Sequence, residues 1–428
     1  MSKKRKSKKK RKPTPATDKS ASRRKFLYAA GAVGAGAAGL GVYYATREVP
    51  PASVTVDPED QGFYRRLGKT ELKVSAIGIG AGGIGDPAIL ERAVDSGLNF
   101  IDTSICYGDS ELVIAEALQK HKEIRDKLII ATKWDVTQSM SKAKILESLD
   151  ESLKRLGVDH IDIMQLHWLG GGHVNGDNGY NRLDNENLYA AMDEARKSGK
   201  ARFFGATSHD AKRTPILKHA IAKDAFDMLL VKMNFLDWEG AAMPTLMEEA
   251  RKADIGIVAM KSQPSGGKMP DGFDDKKWSV YQANLRWCLD QPGVACVVES
   301  GVGEDPDKQD AAIEAARQPL AAADRDLLEQ YATAMSPLYC RGCDDLCGEA
   351  CPEGIQIAAV NQFVMYQRDY AWPERARRHY ERLPVAERWS ERCATCDACS
   401  EACPYGYDAA GGVRAARRLI GEGRGPVA

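Results

Sequence analysis

From about residue 62 onward, short apolar runs alternate with longer stretches whose apolar residues recur every three or four positions. That alternation predicts parallel strands joined by helices, an α/β chain. Eight runs read as strands: 75–80, 99–104, 128–133, 161–167, 201–207, 228–233, 256–261 and 295–299. Between them lie amphipathic helices such as 142–156 and 188–197, the second stopped by Gly199. Ahead of the first strand, residues 64–74 read as a short hairpin turning at Gly68-Lys69. Eight strand–helix repeats in about 270 residues fit a closed (β/α)₈ TIM barrel better than an open nucleotide-binding sheet. The glycine-rich turn after the first strand (Gly78, Gly80, Gly82, Gly83, Gly85) lacks the G-x-G-x-x-G spacing and the acid that follows it in dinucleotide folds.

Charge divides the chain further. Lys+Arg and Asp+Glu balance at 60 each, yet 13 of the bases and only one acid, Asp18, fall in residues 1–25. The remainder is therefore strongly acidic, which argues against a nucleic-acid binder. The basic run leads into Ser22-Arg23-Arg24-Lys25-Phe26-Leu27 and a Gly/Ala-rich apolar stretch. This resembles a twin-arginine translocation signal. Such a signal implies a translocase partner and a location in the periplasm, or tethered to the membrane on its exported side. A membrane anchor is the competing reading, weakened by the scarcity of Leu, Ile and Phe. The predicted organisation is a signal and linker at 1–60, the barrel at 61–335, and a small, mainly helical domain at 336–428.

That last domain holds eight of the 11 cysteines. Cys340-x2-Cys343-x3-Cys347-x3-Cys351-Pro352 is followed by Cys393-x2-Cys396-x2-Cys399-x3-Cys403-Pro404. The second run has the spacing of a bacterial ferredoxin [4Fe–4S] site, in which the cysteine before proline serves the neighbouring cluster. Two runs imply two clusters, each with three ligands from one run and one from the other. An extra residue between Cys343 and Cys347 leaves the pairing of the first run, and a single cluster, open. Zinc is the alternative, but zinc ribbons separate two C-x2-C knuckles by a longer loop.

Chemistry in such a barrel sits at the carboxyl ends of the strands. Those ends carry Asp102, Lys133 and His167, with Tyr107 in the loop after Asp102. The quartet suits hydride addition to a carbonyl, which builds charge on oxygen and needs a waiting proton donor. A tyrosine is a sluggish acid near neutral pH, and a neighbouring ammonium favours its phenolate. On this reading Tyr107 is the acid/base, Lys133 tunes it, Asp102 holds the lysine, and His167 orients the substrate oxygen. Trp134 and Trp168 stand beside Lys133 and His167 as possible pocket walls, and the polar loop 170–179 reads as a lid or a tolerated insertion.

The motifs Phe100-Ile-Asp102-Thr-Ser-Ile-Cys-Tyr107-Gly-Asp-Ser-Glu111, Ala131-Thr-Lys133 and Gln165-Leu-His167 resemble the aldo-keto reductase family over roughly residues 62–335. The resemblance implies a nicotinamide nucleotide, NADP or NAD, and a small carbonyl or alcohol substrate. Ser208, Asn234, Lys261 and Ser262 are the candidate nucleotide contacts. Departures from the family pattern are Leu230 in place of a glutamine, Met260 in place of an aromatic, and the acidic Glu299–Asp305 segment, where Glu304 and Asp305 would repel a 2′-phosphate. Ala259-Met-Lys-Ser262 and Cys351-Pro-Glu-Gly-Ile355 look like a branch of such barrels that carries a ferredoxin-like tail. Two roles for the clusters stay open, electron relay to a redox partner protein or structural staple. A non-catalytic iron–sulfur redox or binding protein that retains the barrel is the alternative function.

Overall fold

The computed structural model describes residues 62–170, 178–240, 242–276 and 278–421. The arginine-pair segment and most of the loop expected at 170–179 lie outside them. Among the described residues, no helix is long and apolar enough to cross a membrane.

Two short strands, β1 (Tyr64–Arg66) and β2 (Lys73–Ser75), pair antiparallel as the expected hairpin. The next eight strands are β3 (Ile77–Gly80), β4 (Phe100–Asp102), β5 (Ile129–Trp134), β6 (Ile161–Leu166), β7 (Ala201–Ser208), β8 (Met228–Lys232), β9 (Gly256–Met260) and β10 (Val294–Glu299). All are parallel, and β10 returns to pair with β3, so the sheet closes on itself. Each strand falls within a residue or two of an apolar run read from the sequence. The near-continuous apolar character of these runs follows from their position, since barrel strands are covered on both faces.

Inside the barrel, Phe100, Ile129, Ala131, Ile163, Met228, Leu230, Val258 and Val298 form one core with Leu67, Leu72 and Val74 of the hairpin. The hairpin thus plugs the end where the strands begin. Gly68 permits the plug to seat. Its φ is +50°, and a Cβ there would stand 2.2 Å from the Gly256 amide nitrogen. Leu230, which replaces an expected glutamine, is therefore an interior packing residue. A larger core lies between the strands and the outer helices, among them Lys142–Leu156, capped by Ser141 and ended by left-handed Gly157.

The tail forms a third core of its own, centred on the helix Ile357–Arg368, whose residues are almost all buried. The same helix fastens the tail to the barrel mouth. Gln362 donates to the His209 carbonyl at 2.9 Å, and the Tyr366 hydroxyl lies 2.8 Å from His209 Nδ1. Tyr339 approaches Asn234 from the tail side, 3.4 Å from its amide nitrogen. These contacts set the tail over the carboxyl ends of the strands, the end at which a barrel does its chemistry.

Candidate active site and cysteine centre

Strands β4, β5 and β6 are neighbours, so their last residues are brought side by side. Lys133 ends up 1% exposed and Asp102 5% exposed. The Lys133 ammonium donates to Asp102 Oδ2 at 2.7 Å and to the Thr103 carbonyl at 2.7 Å. Gln165 fixes the other carboxylate oxygen through a 2.8 Å bond to Asp102 Oδ1. The same ammonium lies 4.7 Å from the centroid of the Tyr107 ring. All three groups therefore share one environment. Burial is the largest single influence on Lys133 and disfavours its charge, but Asp102 and Tyr107 outweigh it and leave the pKa above the ordinary 10.5. The lysine stays an ammonium.

Burial also raises Tyr107 above 10, and Lys133 is the chief influence pulling it back down. In the free pocket the phenol is thus protonated at neutral pH. The Tyr107 ring packs edge-on against His167, centroids 5.8 Å apart. His167 is fully buried, and burial before anything else pushes it down to about 4, so it is a neutral imidazole at neutral pH. Its Nδ1 lies 3.0 Å from Asp135 Oδ1 and 3.4 Å from Ser104 Oγ. Its Nε2 is buried and makes no hydrogen bond with the protein. An imidazole that is neutral, oriented at one nitrogen and unspent at the other is suited to holding a substrate oxygen.

Asp102, Tyr107, Lys133 and His167 all line one cavity of about 730 Å³ at the barrel mouth. Of the four residues read as nucleotide contacts, Lys261 and Ser262 line it as well. Ser208 and Asn234 do not. The Ser208 hydroxyl donates to the Leu169 carbonyl at 2.7 Å, and Asn234 accepts from the Asp237 amide at 3.0 Å and faces Tyr339. Both side chains hold loops in place. Trp168 lines the cavity, whereas Trp134 is stacked on Phe204 away from it. Sequence reasoning missed Gln165 and Asp135. Gln165 lies two residues before His167 on the same strand, and the two-residue period was the available signal. Asp135 carried none beyond its place two residues after Lys133. Tyr370, Trp372 and Arg375 also line the cavity, so the tail supplies one of its walls.

In the tail, Cys393, Cys396 and Cys399 line a small cavity together with Cys351 of the first run. Cys343 and Cys403 both act electrostatically on the Tyr405 hydroxyl, and the Cys347 thiol lies against the Cys343 carbonyl at 3.7 Å. The two runs therefore interleave, three cysteines of one beside the fourth of the other. Tetrahedral zinc with sulfur at about 2.3 Å would need thiols roughly 3.8 Å apart. Among the described residues, no three of the eight tail thiols come within 4.8 Å of one another, while Cys106, Asp135 and His167 do so elsewhere. Four thiols around one hollow, spread wider than a single ion requires, fit a cluster of several irons.

Comparison with known proteins agrees with both halves. Residues 77–270 match the aldo/keto reductase family, and residues 339–408 match the 4Fe-4S dicluster domain. An uncharacterized oxidoreductase of Bacillus subtilis, YqkF, is 26% identical over 277 residues, which cover 55% of this chain and 85% of that one. L-galactose dehydrogenase of Arabidopsis thaliana is 34% identical over 158 residues, 33% of this chain and 47% of the relative. Among solved structures, the aldo-keto reductase AKR11C1 from Bacillus halodurans superposes with a TM-score of 0.50 at 22% identity, over 63% of this chain and 96% of that one. An aldo/keto reductase from Klebsiella pneumoniae, in complex with NADP and acetate, gives the same TM-score and identity over 63% and 95%. At that identity the two structures speak for the fold alone.

The depressed His167 pKa has a consequence for stability. The unfolded imidazole binds a proton below about 6.5, whereas the folded one resists it down to about 4. His167 should therefore draw stability away as pH falls from about 6.5 towards about 4. Urea midpoints of the wild type should decline more steeply across that window than those of His167→Asn, and identical slopes would contradict the assignment.

Proposed function

Taking the chain as an aldo-keto-reductase-type oxidoreductase with a 4Fe–4S domain, we propose that it is an exported enzyme that interconverts a small carbonyl compound and its alcohol with a nicotinamide nucleotide. The observation that carries this reading is the Lys133 ammonium, buried between Asp102 at 2.7 Å and the Tyr107 ring at 4.7 Å, at the floor of the mouth cavity.

The cavity lining fits a nucleotide. Gly80, Gly82 and Gly83 offer a backbone turn without side chains, and a Cβ at Gly83 would meet nothing within 4 Å. Ser262, Gln263, Ser300 and Lys308 add polar groups. The acidic segment is less hostile to a phosphate than its composition suggested. The Asp305 carboxylate caps the helix Pro306–Ala316, accepting from the amides of Asp307 and Lys308, so its charge is taken up at a helix N-terminus. Lys308 reaches back to the Ser300 carbonyl at 2.6 Å and faces the cavity. NADP, the nucleotide of the Klebsiella complex, is thus as compatible with these residues as NAD.

A bound reduced nicotinamide supplies hydride to the carbonyl carbon, and the proton that completes the alcohol must come from the protein. Tyr107 is the group that holds one. His167, neutral at neutral pH, serves as a positioning group and not as the acid. Lys133 favours the phenolate left behind, and Asp102 keeps Lys133 charged and in place. Alcohol oxidation runs the same path backwards. Tyr107→Phe should lower turnover of NADPH with an aldehyde panel by about 10²–10⁴-fold while leaving the circular dichroism unchanged. Preserved turnover would remove Tyr107 from this role.

For the tail we favour two clusters acting as staples, because Tyr370, Trp372 and Arg375 wall the cavity and the tail core is built around the cysteines. Purified anaerobically, the chain should carry roughly eight irons, four for each cube, and substrate should leave the cluster absorbance unchanged. Bleaching would instead make the tail an electron relay. Export rests on the Arg23-Arg24 motif and its apolar follower. Replacing both arginines by lysine should retain the protein in the cytoplasm, and unaltered fractionation would contradict twin-arginine transport.

A further inference from the structure

We infer that the outer part of the cavity is an oxyanion subsite, built from Lys261 of the barrel and Arg375 of the tail, which takes an acidic group on the carbonyl substrate. This deepens the hydride-transfer reading and rests on it for the nature of the ligand.

A tally of charge inside the cavity leads there. Each acid that lines it is already engaged. Asp102 is paired with Lys133. Glu299 is buried, hydrogen-bonded by Ser262, and 4.0 Å from Lys308. Glu374 is paired with Arg377. The cations Lys261 and Arg375 are left over, and among the described residues neither has a carboxylate partner. Arg378 stands at the rim behind them.

What holds these two cations is aromatic. The Lys261 ammonium lies 4.9, 4.7 and 4.9 Å from the ring centroids of Tyr366, Tyr370 and Trp372. The Arg375 guanidinium lies 4.6 Å from the centroid of Trp372 and 5.3 Å from that of Trp168. Ring faces steady a cation without neutralising it. Two like charges against the same indole repel each other, and an anion placed between them removes that repulsion and gains hydrogen bonds from both. The backbone agrees with a site built for a ligand. Lys261 and Trp168 both sit at strand ends with φ of +55° and +51°, a left-handed conformation that side chains other than glycine adopt only at some cost. Burial and then Arg375 push the Lys261 pKa down to about 7, as expected of a cation without its counter-ion.

The position selects the substrate over the nucleotide as the source of the anion. Trp168 follows His167 directly and their rings are 4.2 Å apart, so Arg375 looks down on the side of the cavity where His167 offers its free nitrogen. A compound with its carbonyl at Tyr107 and His167 would present a carboxylate at its other end to Arg375 and Lys261. Because Arg375 and three of the aromatic rings come from the tail, the iron–sulfur domain would set substrate choice by holding them.

The test is equilibrium binding to the full-length, cluster-loaded protein, which does not depend on turnover. In calorimetric titrations para-hydroxymethylbenzoate should bind at least about tenfold more tightly than its uncharged amide, the scale of a hydrogen-bonded charge. Arg375→Met and Lys261→Met should each largely erase that preference, and Arg375→Lys should restore part of it. Equal binding of acid and amide to the wild type would overturn the inference, as would a preference that survives in both methionine variants. Weakened NADPH binding with the acid preference intact would hand the site to the nucleotide phosphates and also overturn it. If the acid preference appears and is lost as described but no carbonyl is reduced, the subsite stands and the hydride-transfer reading falls.

Discussion

The Asp102–Lys133 pair, almost wholly withdrawn from water, is the constraint around which the rest is arranged. An ammonium taken out of water is strongly disfavoured unless its donors are matched, and removing one partner of such a pair costs about 3–5 kcal/mol. Matching requires the Asp102 carboxylate, the Thr103 carbonyl and the Gln165 amide to converge from adjoining strands. Only a closed parallel sheet with β4, β5 and β6 in register places three strand ends so close. The Tyr107 phenol is then set against a charge that cannot relax away. Barrel closure, ion pair and proton donor are one argument at three scales.

The tail adds a second constraint from above. By itself the barrel mouth would be open on the side of β7 and β9. Gln362 and Tyr366 lock the tail to His209, and the segment Tyr370 to Arg375 then closes that side with rings and a guanidinium. A domain this small, with a core gathered around thiols, gains much of its order from the groups those thiols bind. Cluster chemistry and pocket shape are coupled in this way whether or not an electron ever passes between them.

Much of this was legible beforehand, for reasons that differ by residue. Strands buried on both faces must be apolar, so their runs stood out, and strand ends that carry Asp, Lys and His stood out against that background. The hairpin showed through Gly68, where nothing larger fits. Cysteine spacing announced the tail. Side-chain direction at a strand end was much less visible. Ser208 and Asn234 sit at ends as apt as those of Lys133 and Lys261, yet they turn to nearby backbone and leave the cavity to others. Leu230 looked like a lost polar contact and is interior packing. Arg375 lies more than 240 positions from Lys133 in the chain, and no local pattern links residues that meet only when two domains dock.

The coupling of Lys133 to Tyr107 can be read from the pH profile of carbonyl reduction. If the ammonium draws the phenol pKa down, then in Lys133→Met, shown to be folded by circular dichroism, reduction should be slower and its alkaline limb should move to higher pH. A variant that keeps the wild-type rate and the wild-type limb would contradict the account at its root.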